Sequence, residues 1–225
     1  MKLYLCSGLI LIAFLISSQE AYAQDSLKHK SDKHLYFYGG MGIGYTSTPK
    51  FNDFVRNEVF SGLYDSVKSF SVGLEIFGGA EYELTKSFSL RLDYSYFFKS
   101  KTYYESFYIF DYYYFIHQPF IMAQYNINHN SYRFDFSAGA GYQFAQLQRT
   151  LNNTGYTYNS SGPALRGEVR FSAKFTDRMN TYLSGFVNGA FLSSFTIQNG
   201  GQPPQNVSLG GIGFGLRIGL SINIF

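Results

Sequence analysis

The sequence predicts an all-β fold, an eight-stranded antiparallel up-and-down transmembrane β-barrel. Three observations carry this. The residues repeat with a period of two, the apolar phase of that repeat is aromatic and continuous, and the connections alternate in length. The clearest stretch is Phe70–Phe98. In its first arm Phe70, Val72, Leu74, Ile76, Ala80 and Tyr82 share one parity, and Ser71, Gly73, Glu75, Gly79 and Glu81 share the other. After a short turn, Glu83-Leu84-Thr85-Lys86, the second arm sets Phe88, Leu90, Leu92, Tyr94, Tyr96 and Phe98 against Ser87, Ser89, Arg91, Asp93 and Ser95. Successive side chains of a strand point to opposite faces, so two such arms form an antiparallel hairpin with one greasy face.

The chain has 225 residues, of which 20% are aromatic and only 15% charged. Soluble domains average about 25% charge. The net charge of +3 and the lack of a basic run argue against nucleic acid as a partner. Residues 1–23 read as a secretory signal peptide: Lys2, an apolar core from Leu9 to Ile16, and a small-residue cleavage site at Ala21-Tyr22-Ala23. Residues 24–33 form a polar, flexible lead-in, and 34–225 the barrel. Cys6 is the single cysteine and lies in the leader, so the exported chain has no disulfide framework. No separate cell-wall-binding module is expected after Phe225.

The first strand is placed at His34–Thr46, with Leu35, Phe37, Met41 and Ile43 opposing Tyr36, Tyr38, Gly40, Gly42 and Gly44. A long connection, Ser47–Lys68, follows, with a short helix within Phe51–Tyr64. The hairpin at 70–98 supplies strands two and three. The fourth strand runs over Ser106–Asn126 and is dense in aromatics: nine of the thirteen residues Tyr103–Phe115 are Tyr or Phe. Pro119 cannot donate to the ladder, so a bulge or change of phase is expected there. Strand five is Ser131–Gln148, and the polar stretch Thr150–Gly162 reads as a loop. Strand six is Pro163–Phe175, and strand seven is Thr181–Phe195 with ambiguous phase. After a loop at Gln198–Asn206, strand eight occupies Val207–Phe225. Short turns after strands two, four and six, with longer connections after the odd strands, are the asymmetry of a membrane barrel.

Alternation alone does not say which face is outside. The polar phase is mostly Gly, Ser and Asn with a few charges, a poor coat for water but suited to a narrow lumen. The apolar phase is therefore assigned to lipid. Inward glycines on strands one and eight leave room, and the reading fills it with a charge network of Glu75, Glu81, Arg91, Asp93, Arg133, Asp135, Arg166, Glu168, Arg170, Lys174 and Arg217. Signs are mixed, as paired burial of charge requires. Eight strands enclose just enough space for side chains to fill.

Three stretches carry a family resemblance. They are His34-Leu35-Tyr36-Phe37-Tyr38-Gly39-Gly40-Met41-Gly42-Ile43-Gly44, the proline-containing Phe115–Tyr125, and the terminal strand ending in Phe225. In these the chain resembles the small outer-membrane β-barrel proteins of Bacteroidetes, the porin-like family that includes PorT-type proteins. The resemblance implies an integral barrel of the cell outer membrane. The chain departs in its last residues, where Ile224 keeps the lipid-facing phase and Phe225 does not.

The functional expectation is a non-enzymatic envelope protein, structural or presenting loops to a partner. Its partners are outer-membrane lipid and an extracellular protein or glycan. The candidate contact aromatics are Tyr103, Tyr104, Phe107 and Tyr108. A narrow solute channel and a lipid-modifying enzyme are the alternatives; the second would use His117, placed toward the periplasmic end, with a neighbouring serine. His29, His34, His117 and His129 are scattered, so no catalytic residue, metal or cofactor is assigned.

Overall fold

A computed structural model of the chain describes residues 34–50, 71–105, 108–129, 131–151, 154–176, 178–194, 196–197 and 207–224. The signal peptide and lead-in expected over 1–33, the helix expected within Phe51–Tyr64, Phe107 and Phe225 lie outside the described residues. The strands are β1 (Leu35–Ser47), β2 (Val72–Thr85), β3 (Phe88–Glu105), β4 (Tyr108–Asn128), β5 (Tyr132–Leu151), β6 (Thr154–Lys174), β7 (Met179–Ala190), the two-residue β8 (Thr196–Ile197) and β9 (Gly211–Asn223).

Eight of these close an antiparallel barrel. Each wall strand pairs with its neighbours in sequence, and β1 pairs with β9 through Tyr36↔Asn223 to Ser47↔Ile212, which removes the open edge. The register fixes the tilt. From Ile43 the facing residues run one way through Leu74, Phe98, Phe115 and Gln146 to Asn159 on β6. The other way they run through Leu216 and Gly185 to Val169 on the same strand. That offset of ten residues over eight strands corresponds to a tilt of about 40°.

Outward residues are the apolar phase in every wall strand; Met41, Val72, Leu92, Ile121, Leu165, Val187 and Ile218 are all at least half exposed. Aromatic residues band this face at two heights. On the side of the short turns, Phe88 packs on Tyr125 at 5.3 Å and Phe134 on Phe171 at 5.0 Å. On the opposite, loop side, Tyr45 stacks on Phe214 at 4.9 Å and Tyr96 on Phe115 at 6.2 Å. Along β3 the two bands are about nine residues apart, roughly 22 Å along the barrel axis at this tilt. That is close to the ~25 Å apolar band of a transmembrane barrel.

Four sequence expectations are corrected. Thr150–Gly162 is strand, not loop: β5 continues to Leu151 and β6 begins at Thr154, paired from Leu151↔Thr154 onward. β3 likewise continues to Glu105. These extensions stand above the loop-side aromatic band, where neither face meets lipid. The apolar alternation that marks a membrane strand therefore fades, while Thr, Tyr and Asn still pair well across a sheet. Pro119 causes no slip of register: β4 passes from His117↔Phe144 to Phe120↔Gly141 in phase, with a gap in the ladder at Gln118–Pro119. β7 ends at Ala190 and β9 begins at Gly211, because Val207–Leu209 turn inward and are buried in the mouth.

Candidate functional site: the charged lumen

Strand parity sends Glu75, Glu81, Arg91, Asp93, Asp135, Arg166, Glu168, Arg170 and Arg217 inward, and all are buried. The upper cluster centres on Arg217. Its Nε and Nη2 donate to the Glu75 carboxylate at 3.0 and 2.6 Å, and Nη1 reaches Asp93 at 3.2 Å and Glu168 at 3.0 Å. Arg91 forks onto Glu168 at 3.2 and 2.7 Å. Arg166 donates to Asp93 at 3.1 Å and to Gln118 Oε1 at 2.5 Å. Charge-assisted forks of this kind are the stronger hydrogen bonds available to a protein.

A lower cluster sits nearer the turns. Arg133 bridges Glu81 at 2.9 Å, Glu83 at 3.2 Å and Asp135 at 2.8 Å. Arg170 links the two clusters, with Glu81 at 3.4 Å on one side and Glu168 at 3.6 Å on the other. Arg133 is slightly exposed, and Lys174 is exposed beside the turn-side opening with Ser172, Asn180 and His129. Lys174 thus stands outside the buried clusters. Sequence reasoning did not include Glu83 in the network; its parity with Glu81 was the available signal.

The space beside the inward glycines holds aromatic rings rather than charged chains. Phe186 faces Gly215, Tyr182 faces Gly219, Phe120 faces Gly141, Phe77 faces Gly40 and Tyr38 faces Gly79 across the ladder. A Cβ on Gly215 would lie 2.7 Å from the Phe186 ring, and one on Gly219 would lie 2.6 Å from the Tyr182 hydroxyl. The guanidiniums then lie over these rings: Arg217 over Phe77 at 4.5 Å, Arg166 over Phe120 at 4.3 Å and Arg170 over Tyr182 at 4.3 Å. Gly42 alone among the glycines described meets the network directly, near Arg217 Cγ and Glu75 Oε2. The lumen is therefore layered as glycine, ring and guanidinium. The sequence reading missed the ring layer because Phe77 and the inward residues of β7 break the polar phase.

Above the clusters the mouth is apolar. Tyr112, Tyr114, Leu147 and Leu209 are fully buried, and the Tyr114 hydroxyl donates to the Leu209 carbonyl at 3.4 Å. Lys99 lies over the Tyr114 ring at 4.7 Å. The β7–β9 connection is tied down by Ser160 Oγ donating to Ser193 O at 2.5 Å and by the bridge Ser194↔Ser208.

His117 faces outward in the loop-side aromatic band, opposite Tyr96 and Phe144, and not at the turn-side end. The Tyr94 hydroxyl is 2.6 Å from its Nδ1, and the Tyr96 ring centroid 4.9 Å from its own. Those tyrosines, not a serine, are the partners it is given. Among the described residues, no group of three or more His, Cys, Asp or Glu is arranged to hold a metal ion. Tyr103, Tyr104 and Tyr108 lie at the far end of the β3–β4 hairpin.

This wall, tilt and alternation define the closed antiparallel barrel of the outer-membrane type. Solved structures share it. A major outer membrane protein of Thermus thermophilus superposes with a TM-score of 0.57 at 12% identity, covering 84% of this chain and 99% of that one. The outer membrane protein OprG of Pseudomonas aeruginosa gives 0.52 at 11% identity, covering 85% and 95%. Neisserial surface protein A gives 0.48 at 14%, covering 84% and 96%. No protein-family model matches the sequence, and no curated protein matches it.

Proposed function

We propose that this chain is an integral outer-membrane barrel of the porin-like, PorT-type Bacteroidetes kind, exported through a cleaved signal peptide and without enzymatic activity. Its role is structural in the cell envelope or lies in loop-side contacts with an extracellular protein or glycan. The apolar outward wall supports membrane burial, since every backbone group of a closed barrel is paired without solvent. One observation supports the non-conducting reading: the Arg217, Arg91 and Arg166 guanidiniums cross mid-lumen and pair with Glu75, Asp93 and Glu168. Forks that share their carboxylates at mid-lumen favour a lumen filled by side chains over a continuous wire of solvent.

Planar-bilayer recording of the refolded protein tests this. The expected trace is silent, and replacing Arg91 and Arg217 together by serine produces discrete openings. Large, stable openings in the unaltered protein would defeat the plugged reading. The enzymatic alternative predicts deacylation of outer-membrane lipid that His117→Ala abolishes; the expected activity is nil in both proteins.

A further inference from the structure

The lumen charges do not balance from end to end. In the upper cluster Glu75, Asp93 and Glu168 meet three guanidiniums, those of Arg91, Arg166 and Arg217. In the lower cluster three carboxylates, Glu81, Glu83 and Asp135, share two, those of Arg133 and Arg170. Arg170 is also drawn toward Glu168, at 3.6 Å. Lys99 stands in the mouth, over the Tyr114 ring, at the other end of the barrel. The lower cluster therefore holds one negative charge more than its guanidiniums offset.

The excess falls on Asp135. It is fully buried, and neither of its carboxylate oxygens takes a hydrogen bond. Arg133 Nε comes within 2.8 Å of Oδ1, but the pair lacks the alignment of a hydrogen bond. The terminal nitrogens of Arg133 are engaged by Glu83 and Glu81. Across the ladder Asp135 faces Asn126 on β4 and Arg170 on β6. The Asn126 amide is taken by Ser89 and Gln124, whereas Arg170 leaves Nε and Nη2 without a hydrogen bond. The other titratable groups around the cluster are accounted for. Tyr36 of β1 lies under the Arg133 guanidinium, Tyr38 of β1 and Tyr182 of β7 lie under that of Arg170, and Arg91 of β3 and Arg217 of β9 are held by the upper carboxylates. A buried carboxylate without a full partner is costly, and neutralisation relieves that cost.

The neutralising species follows from the opening below. A cavity of about 150 Å³ lies at the turn side against Arg133 and Ser172, with Tyr36, Asn128, Lys174 and Asn180 around it. One water needs about 10–15 Å³, so this vestibule has room for several. Its lining carries two cationic side chains, Arg133 and Lys174, and no carboxylate. A metal cation would have to pass both, and among the described residues no three acidic, His or Cys groups are arranged to hold one. A proton needs no coordination shell and is handed on by water.

We propose that Asp135 is an uncharged acid at neutral pH, holding an exchangeable proton from the turn-side solution, and that it is the pH-sensitive element of the lumen. On release the proton passes to vestibule water. The carboxylate left behind draws the two spare donors of Arg170, so Arg170 leaves Glu168 and the two clusters uncouple. Glu168 keeps Arg91 and Arg217. This rests on the side-chain-filled lumen proposed above.

Infrared spectroscopy of the folded barrel in detergent tests it, with the side-chain carboxyl of aspartate labelled with carbon-13. The unaltered protein at neutral pH is expected to show the C=O stretch of one protonated carboxylic acid. The band shifts with the aspartate label, moves promptly in deuterated buffer and fades as pH rises. Asp135→Asn removes it. Glu83→Gln, which takes away the excess charge and leaves Asp135 in place, removes it too. Arg170→Met leaves the cluster one guanidinium short, and the band then persists to higher pH. Unfolding gives a second readout. The unfolded chain releases the proton, so the unaltered barrel loses stability as pH rises through the range where the band fades, and Asp135→Asn shows no such loss. Heat-shifted electrophoretic mobility confirms that each variant is folded; should Asp135→Asn misfold, the label and Glu83→Gln carry the assignment. Absence of the band at neutral pH, a band that ignores the aspartate label, or one that survives in folded Asp135→Asn would overturn the proposal. A band that stays put in deuterated buffer would overturn the exchange with solution. Planar-bilayer recording of the same preparation separates the two readings. Open channels with the band kept would defeat the plugged lumen alone, and a silent barrel without the band would defeat this proposal alone.

Discussion

Replacing Arg217 by Met is the sharpest perturbation of the lumen. Met fills much of the same volume and adapts to irregular space, so the change is chiefly one of charge and hydrogen bonding. The structure says which partners are stranded. Glu168 keeps Arg91 at 2.7 Å, and Asp93 keeps Arg166 at 3.1 Å together with the Tyr38 hydroxyl at 3.0 Å. Glu75 loses both of its short contacts and keeps only Arg166 at 3.7 Å. Breaking a buried pair from one side costs about 3–5 kcal/mol, mostly the penalty of the charge left behind. With one of three carboxylates orphaned, the lower end applies, about 3 kcal/mol, or on the order of a hundredfold in the folding equilibrium.

The measurement is guanidinium unfolding of the barrel in detergent micelles, read by electrophoretic mobility and by tyrosine fluorescence. Adding Glu75→Gln to Arg217→Met removes the orphaned charge, so the double variant is expected to recover to within about 1 kcal/mol of the unaltered protein. A coupling of that sign is what residues in one buried network produce. Lys86→Met, at an exposed position in the turn between β2 and β3, is the control and shifts stability by less than about 0.5 kcal/mol. The reasoning fails if Arg217→Met is within 1 kcal/mol of the unaltered protein, or if the two losses simply add.

The glycines separate by face. Gly219→Ala, driven against the Tyr182 hydroxyl, is expected to lose about 1–3 kcal/mol, whereas Gly189→Ala, facing open space, stays within about 0.5 kcal/mol in the same unfolding assay. Closure of the barrel is tested by cross-linking: Met41→Cys/Ile218→Cys occupy facing positions and form a disulfide under oxidation, while Met41→Cys/Leu216→Cys, one step out of register, do not. A protease that cuts within the β7–β9 connection is expected to act faster when Tyr114→Phe removes the hydroxyl held to Leu209 O, by roughly fivefold for one hydrogen bond of about 1 kcal/mol.

The wall of this barrel was legible because lipid demands a strict pattern. From Val72 to Tyr82 and from Phe88 to Phe98 every second residue is apolar or glycine, and the structure keeps that phase until the register shifts between Glu83 and Thr85 at the turn. Legibility ended where that demand ended. The β5–β6 extension has no lipid on either face, so Thr150–Gly162 carried only its polar composition, and the pairing that makes it a sheet lies in β5 rather than in itself. Most of the lumen charges followed from parity alone. Their partners did not, since Arg217 meets Glu75, Asp93 and Glu168 across the barrel, a matter of strand stagger rather than of sequence spacing. Lys174 shows the limit of parity: it has the inward phase but sits past the closed part of the lumen.

The layered interior explains how so many charges sit in a space this narrow. A guanidinium is weakly hydrated and flat, and it can stack on a ring while its edge forks onto a carboxylate. Arg217 does both, lying over Phe77 and Phe186 while its edge holds Glu75. The ring in turn needs a wall without side chains, and Gly40 and Gly215 provide it opposite Phe77 and Phe186. Each layer therefore depends on the one outside it, and a lysine at 217 would satisfy the charge but not the stack. Arg217→Lys is accordingly expected to unfold at lower denaturant than the unaltered protein although the charge is kept. An unchanged midpoint would mean that the rings serve only to fill space.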